Sequence, residues 1–198
     1  MRYPALLMIV LAAALPCHAV TSYLGPTGNI LTPDALVVTD GTWELGYHQF
    51  IEVFADADFV STTVNYGLLP NLEVGGAWTD NGDEDFAING KYQLLAETAD
   101  RPAIAVGVYD AFGVVNIFGD DPGVYAVATK NLGPTTDVVG EPFRGARLSL
   151  GIGSGVFDGV FANVDWVVGN RAHLLLEYIN NDPAKEGKTG SAVNAGIR

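Results

Sequence analysis

Along most of this chain apolar residues alternate with small or polar ones, in short runs punctuated by Gly, Pro, Asn and Asp. The stretch VNYGLLPNLEVGGAW, Val64–Trp78, shows the unit: two alternating runs joined by a turn-like Leu69-Pro70-Asn71. No segment sustains a helical period. The pattern predicts an all-β chain with strands at Thr42–Phe50, Asp58–Gly67, Leu72–Thr79, Asp85–Leu94, Ala103–Phe112, Val124–Leu132, Gly145–Gly153, Val156–Val168, Ala172–Ile179 and Ser191–Arg198. Most are about 8 to 11 residues long, the length with which a tilted strand crosses a bilayer.

Successive side chains of a strand point to opposite faces, so alternate positions separate the two surfaces. One carries Leu45, Val64, Val74, Ile88, Val106, Leu150, Val164 and Leu176, together with Trp43, Tyr47, Tyr66, Trp78, Tyr92, Trp166 and Tyr178. The other carries Glu44, His48, Asn65, Glu73, Asn89, Lys91, Arg147, Asp165, His173 and Glu177 among Gly, Ala, Ser and Thr.

Two architectures fit such strands: a soluble barrel or sandwich with the apolar face inside, or a membrane barrel with that face toward lipid. Three features favour the second. The aromatic residues gather toward strand ends, where girdles meet the bilayer interfaces. The polar face is made of small side chains, which suit a crowded lumen better than a soluble surface. Tight connections at Leu68–Asn71 and Gly169–Arg171 contrast with long ones at Val114–Gly123 and Asn180–Lys188, as short periplasmic turns contrast with outer loops; Gly133–Phe143 departs from that rule. The expectation is an antiparallel transmembrane β-barrel of about ten strands, with Leu69-Pro70-Asn71 as a periplasmic turn.

The start of the chain reads differently. Arg2, the apolar run Ala5–Leu15, Pro16 and then Cys17-His18-Ala19 have the form of a secretory signal cut after Ala19. The expected organisation is a signal peptide at 1–19, a Gly/Thr-Pro segment at 20–41 and a barrel domain at 42–198. The leader holds the single cysteine, so no disulfide is expected in the mature fold. The 198 residues carry a formal net charge of −13, and loss of Arg2 makes it one unit more negative. Such acidity excludes the basic patch that nucleic acid requires.

Chemistry on the polar face is limited to charge pairing. Glu73 and Lys91 fall on neighbouring strands, as do Arg147 and Asp165, so each pair can meet across the lumen, either neutralising charge in a narrow space or forming a solute-selecting constriction. Glu44, His48, Asn65, Asn89, His173 and Glu177 are further candidates for lumen-lining polar groups. His48 and His173 accompany no nucleophile motif, and GIGSG around Ser154 lacks the Gly-x-Ser-x-Gly spacing, so no catalytic residue is assigned. Two separated histidines without cysteine make no transition-metal site. The acidic turns DNGDED, Asp80–Asp85, and GDDPG, Gly119–Gly123, lack the spacing of a calcium loop. No metal or cofactor is expected.

The segments GPTGNILTPDALVVTDGTWELGY, YGLLPNLEVGGAW, INGKYQLL, VYAVATKNLG and GVFANVDWVVGNRAHLLLEY, followed by VNAGIR, resemble the YjbH-like outer-membrane proteins associated with exopolysaccharide production. The resemblance implies an outer-membrane, non-enzymatic role in exopolysaccharide production or export. Its implied partners are outer-membrane lipid and the exopolysaccharide or its export machinery. A small passive pore and a soluble periplasmic protein binding an apolar ligand are the competing readings.

Overall fold

A computed structural model describes residues 20–51, 58–80, 84–113, 122–133, 143–168, 172–180 and 191–197. Residues 1–19, 52–57, 81–83, 114–121, 134–142, 169–171, 181–190 and 198, which include the expected signal peptide and the centres of both acidic turns, lie outside the described residues.

Ten strands form one sheet: β1 (Trp43–Ile51), β2 (Asp58–Leu69), β3 (Leu72–Asp80), β4 (Glu84–Leu95), β5 (Ala103–Tyr109), β6 (Gly123–Leu132), β7 (Phe143–Gly153), β8 (Gly159–Val168), β9 (Ala172–Ile179) and β10 (Ala192–Ile197). Each pairs antiparallel with the next, in sequence order throughout. All ten expected strands are present, most with ends moved by a residue or two. In such a meander the β2–β3 and β8–β9 turns leave from one end of the sheet and the two longest connections from the other. No helix among the described residues is long and apolar enough to cross a membrane, which bears on helices alone.

Two expected strands are shorter than their alternation suggested. The run Val156–Val168 is broken: Gly155–Phe157 forms a 3-10 turn and β8 starts at Gly159. Gly155 and Gly159 stand at φ of 63° and 87°, a left-handed backbone that ends strand geometry and suits glycine. Val156 and Phe157 therefore fold inward as a buried cap rather than extending the ladder. At the other break β5 stops at Tyr109, because Asp110 turns to a φ of 47° and accepts the Gly113 N–H.

The apolar face points outward. Leu45 is 75% exposed, Trp43 68% and Leu150 58%, whereas Glu73, Lys91 and Glu177 on the opposite face are 1–2% exposed. This reverses the burial of a soluble β-protein. The outward aromatics stand in two bands: Trp43, Tyr66, Tyr92 and Trp166 near the end with the β2–β3 turn, and Trp78, Phe86 and Tyr178 near the other. Trp43 and Tyr66, opposite each other in the register, stack with ring centroids 4.5 Å apart.

The inner face is covered by the segment that precedes β1. Residues 20–38 run along it with almost every side chain buried. Thr27 bonds to Glu73 on β3 and Leu31 to Glu177 on β9. Four residues of chain reach about 14 Å at most, while β3 and β9 in a flat sheet would be about 29 Å apart. Side chains stand roughly perpendicular to a sheet, so both contacts require the sheet to curl around the segment. Among the described residues no backbone pairing joins β1 to β10.

Candidate functional site

The interior has two layers. Toward the end with the long connections it is apolar: Tyr109, Tyr125, Val127, Phe157, Phe161 and Ile179 pack with Tyr23, Leu24 and Leu31 of the segment. Phe157 meets Tyr125 edge-on, with centroids 5.2 Å apart. The polar lumen expected from alternation therefore describes only part of the inner face. Toward the end with the β2–β3 turn it is ionic, and this layer holds Glu73, Lys91, Arg147, Asp165 and His173, whereas His48 and Asn89 lie nearer the apolar layer, beside Tyr23 and Leu24.

Glu73 and Lys91 are direct register partners on β3 and β4, and Lys91 Nζ lies 3.7 Å from Glu73 Oε1. The pair is part of a larger cluster. Lys91 Nζ is also 3.7 Å from Asp34 Oδ1 and donates to the Thr27 carbonyl at 2.9 Å and to the Thr27 hydroxyl. Glu73 accepts the Thr27 N–H at 2.9 Å, the Thr27 hydroxyl at 2.8 Å and the Val38 N–H at 3.0 Å.

Arg147 and Asp165 are likewise register partners, on β7 and β8, but stand 4.0 Å apart. Arg147 lies closer to Asp34 Oδ2, at 3.6 Å, and donates to Asn131 at 3.3 Å. Asp165 lies closer to His173 Nδ1, at 2.7 Å. Asp34 thus sits between two cations that belong to strands three apart in the sheet, joining both expected pairs into one network.

Glu177 makes a second anchor. Its carboxylate accepts the Leu31 N–H at 3.0 Å, the Thr32 N–H at 3.1 Å, the Thr32 hydroxyl at 2.9 Å and the Asn194 amide at 2.8 Å. A carboxylate with this many donors has its oxygens satisfied and its position fixed without a cation beside it. Asn65 and Asn89 donate to the Gly25 and Leu24 carbonyls, and Asn163 to the Thr32 hydroxyl. His48, half-buried on β1, shares a hydrogen bond of 3.3 Å with the Thr21 hydroxyl. Glu44 is half-buried on the inner side of β1. All ten residues marked in the sequence lie on the inner face.

Glycines make room for the segment. Gly25 stands at a φ of 111°, and a Cβ there would lie 2.1 Å from the Asn89 amide nitrogen; a Cβ on Gly46 would lie 2.0 Å from the Thr21 hydroxyl. The segment can approach the wall this closely only where side chains are missing.

Sequence reading left unassigned the partner that organises these groups: Thr27, Thr32 and above all Asp34 of the segment. The one available signal was Thr32-Pro33-Asp34 beside GPTGN, a cluster of turn formers with no alternation.

Residues 20–157 match the profile of the family described as exopolysaccharide biosynthesis protein YbjH. The chain belongs to the YjbH family. The match takes in residues 20–38, the connection at 39–42 and β1 to β7, so it contains Asp34, Glu73, Lys91 and Arg147. Among curated proteins and among solved structures there is no significant match.

Burial, and secondarily the charge of Asp80, pushes the Tyr23 hydroxyl up to about 12. The folded state therefore favours the neutral phenol. Its contribution is fully present below the unfolded pKa near 10 and is lost as pH rises through 12. Between pH 10 and 12 the wild-type protein is expected to lose stability more steeply than Tyr23→Phe in denaturant titrations. Parallel slopes would contradict the buried placement.

Proposed function

We propose that this YjbH-family chain is an exported, non-enzymatic outer-membrane β-barrel that supports exopolysaccharide production or export. The observation that carries the membrane part is the reversed burial: a belt of exposed Leu, Val, Ile and aromatic side chains surrounds an interior of paired ions. In water so large an apolar surface is unfavourable, whereas in a bilayer it is the surface that lipid requires. The two aromatic bands fit the two interfaces. Within lipid the edges of β1 and β10 would have no water to bond, and pairing with each other would complete the barrel. The exopolysaccharide part rests on the family's description.

A passive pore needs an open interior, and the segment from Val20 to Val38 occupies it. A soluble carrier of an apolar ligand needs its apolar face inside, and that face points outward. Fractionation of producing cells tests the location: the protein should leave the envelope only with detergent, and release with the periplasmic contents would contradict the proposal. Deleting the gene should lower secreted exopolysaccharide, with unchanged secretion counting against the role. Liposomes carrying the protein should not swell in small osmolytes.

A further inference from the structure

The wall grips the segment in a particular chemical way. Ser61, Asn65, Asn89, Lys91 and Gln93 donate to the main-chain carbonyls of Tyr23, Gly25, Leu24, Thr27 and Ala35. Glu73 and Glu177 accept main-chain amides and threonine hydroxyls, and Thr129 accepts the Ala35 N–H. Apart from Asp34, these bonds use amides, carbonyls and hydroxyls, beside an inner surface carrying the rings of Tyr125 and Phe161. Those are the groups a saccharide presents: hydroxyls, acetamides, and a ring face that packs on aromatic side chains.

The wall's charges narrow the class. On the strands three buried carboxylates, Glu73, Asp165 and Glu177, stand against two cations, Lys91 and Arg147. Although both cations face the carboxylate of Asp34 in the closed form, the wall without the segment keeps an excess of negative charge, which disfavours an anionic polymer.

The segment also has a hydrogen-bonded form of its own. It bonds to itself, Ser22 N–H to the Pro26 carbonyl, Tyr23 to Ile30, Gly28 to Val20, Asn29 to Thr32 and Asp34 to Thr27, so its compact form does not depend on the wall alone. It joins β1 through 39–42, where Gly41 stands at a φ of 73° and is bonded to Gly67 at the end of the barrel with the β2–β3 turn. After its departure Lys91 and Arg147 keep Glu73 and Asp165 as register partners, while Glu177 keeps Asn194 and can hydrate together with the exposed hydroxyls and amides.

We propose that residues 20–38 are a displaceable plug, latched by Asp34 between Lys91 and Arg147, that occupies the binding groove for a neutral, hydroxyl- and acetamide-bearing polysaccharide. The ligand class rests on the exopolysaccharide reading above; the displaceable plug rests on the contacts themselves.

A reversible lock tests it. Ala35 N lies 2.8 Å from Thr129 Oγ1, so Ala35→Cys with Thr129→Cys, in the full chain carrying Cys17→Ser, should form a disulfide between plug and wall. In detergent micelles, titration calorimetry with a neutral N-acetylglucosamine tetramer should show binding to the reduced protein, loss on oxidation and recovery on reduction. Asp34→Asn should bind the tetramer on the order of tenfold more tightly than wild type, because a larger fraction is open. A galacturonate tetramer should bind at least about tenfold more weakly. Failure of the cysteines to cross-link, equal affinity of the locked and reduced forms, or no binding by the reduced protein would each overturn the plugged groove, and equal affinity for the galacturonate tetramer would overturn the neutral class. Lock-dependent binding in a protein whose deletion leaves secretion unchanged would instead remove the exopolysaccharide role and keep the plug.

Discussion

Exchanging Lys91 for methionine is expected to destabilise the folded protein by about 3–5 kcal/mol, the cost of leaving buried carboxylates without their cation. Lys91 is 1% exposed and stands 3.7 Å from both Asp34 and Glu73. Its loss therefore leaves Glu73 on the wall without its cation and Asp34 on the segment with Arg147 alone. Adding Glu73→Gln should recover only part of the loss, since Asp34 keeps its charge, and a further Asp34→Asn should recover more. Denaturant unfolding of the three variants measures this. Losses that merely add, with no recovery, would mean the three side chains act independently.

The second large effect concerns the outer face. Val106 lies in the middle of β5 with its side chain outward. Val106→Arg should cost about 2–4 kcal/mol if that position faces the bilayer midplane, and folded protein should be depleted from the membrane fraction. Val106→Leu, which keeps the surface apolar, should assemble normally. Equal assembly of the two variants, judged by heat-modifiable gel mobility, would place Val106 away from lipid.

Strand positions and faces were legible because alternation is a local property. Leu148, Leu150 and Ile152 alternate with Arg147, Ser149 and Gly151 whatever surrounds them, and the register partners Glu73–Lys91 and Arg147–Asp165 follow once neighbouring strands are aligned. Two features were not legible for reasons that are equally physical. Alternation continues through Val156 and Phe157, although the backbone at Gly155 and Gly159 ends the ladder there. In β6, Tyr125 and Val127 face inward between Val124 and Ala126, so both faces read as apolar and the inner layer has no sequence signature.

The plug was the larger omission. Residues 20–38 have no period, and their partners are side chains far along the chain: Thr27 bonds to a carboxylate 46 residues away and Leu31 to one 146 residues away. Contacts of this kind come from topology, which curls β3 and β9 around the same segment. The charges on the strands were visible in the sequence. Asp34, which joins them, became visible only in the fold.

The central claim is that one face of this sheet meets lipid while the other wraps its own N-terminal segment. Nitroxide labels placed singly at 148, 149, 150 and 152 on β7, in protein reconstituted into liposomes, test it most directly by power saturation. Labels at Leu148, Leu150 and Ile152 should be accessible to oxygen dissolved in the bilayer, and a label at Ser149 should be immobile and shielded from both oxygen and a water-soluble relaxant. Uniform access of the water-soluble relaxant along the strand, or oxygen access on the Ser149 face, would contradict it.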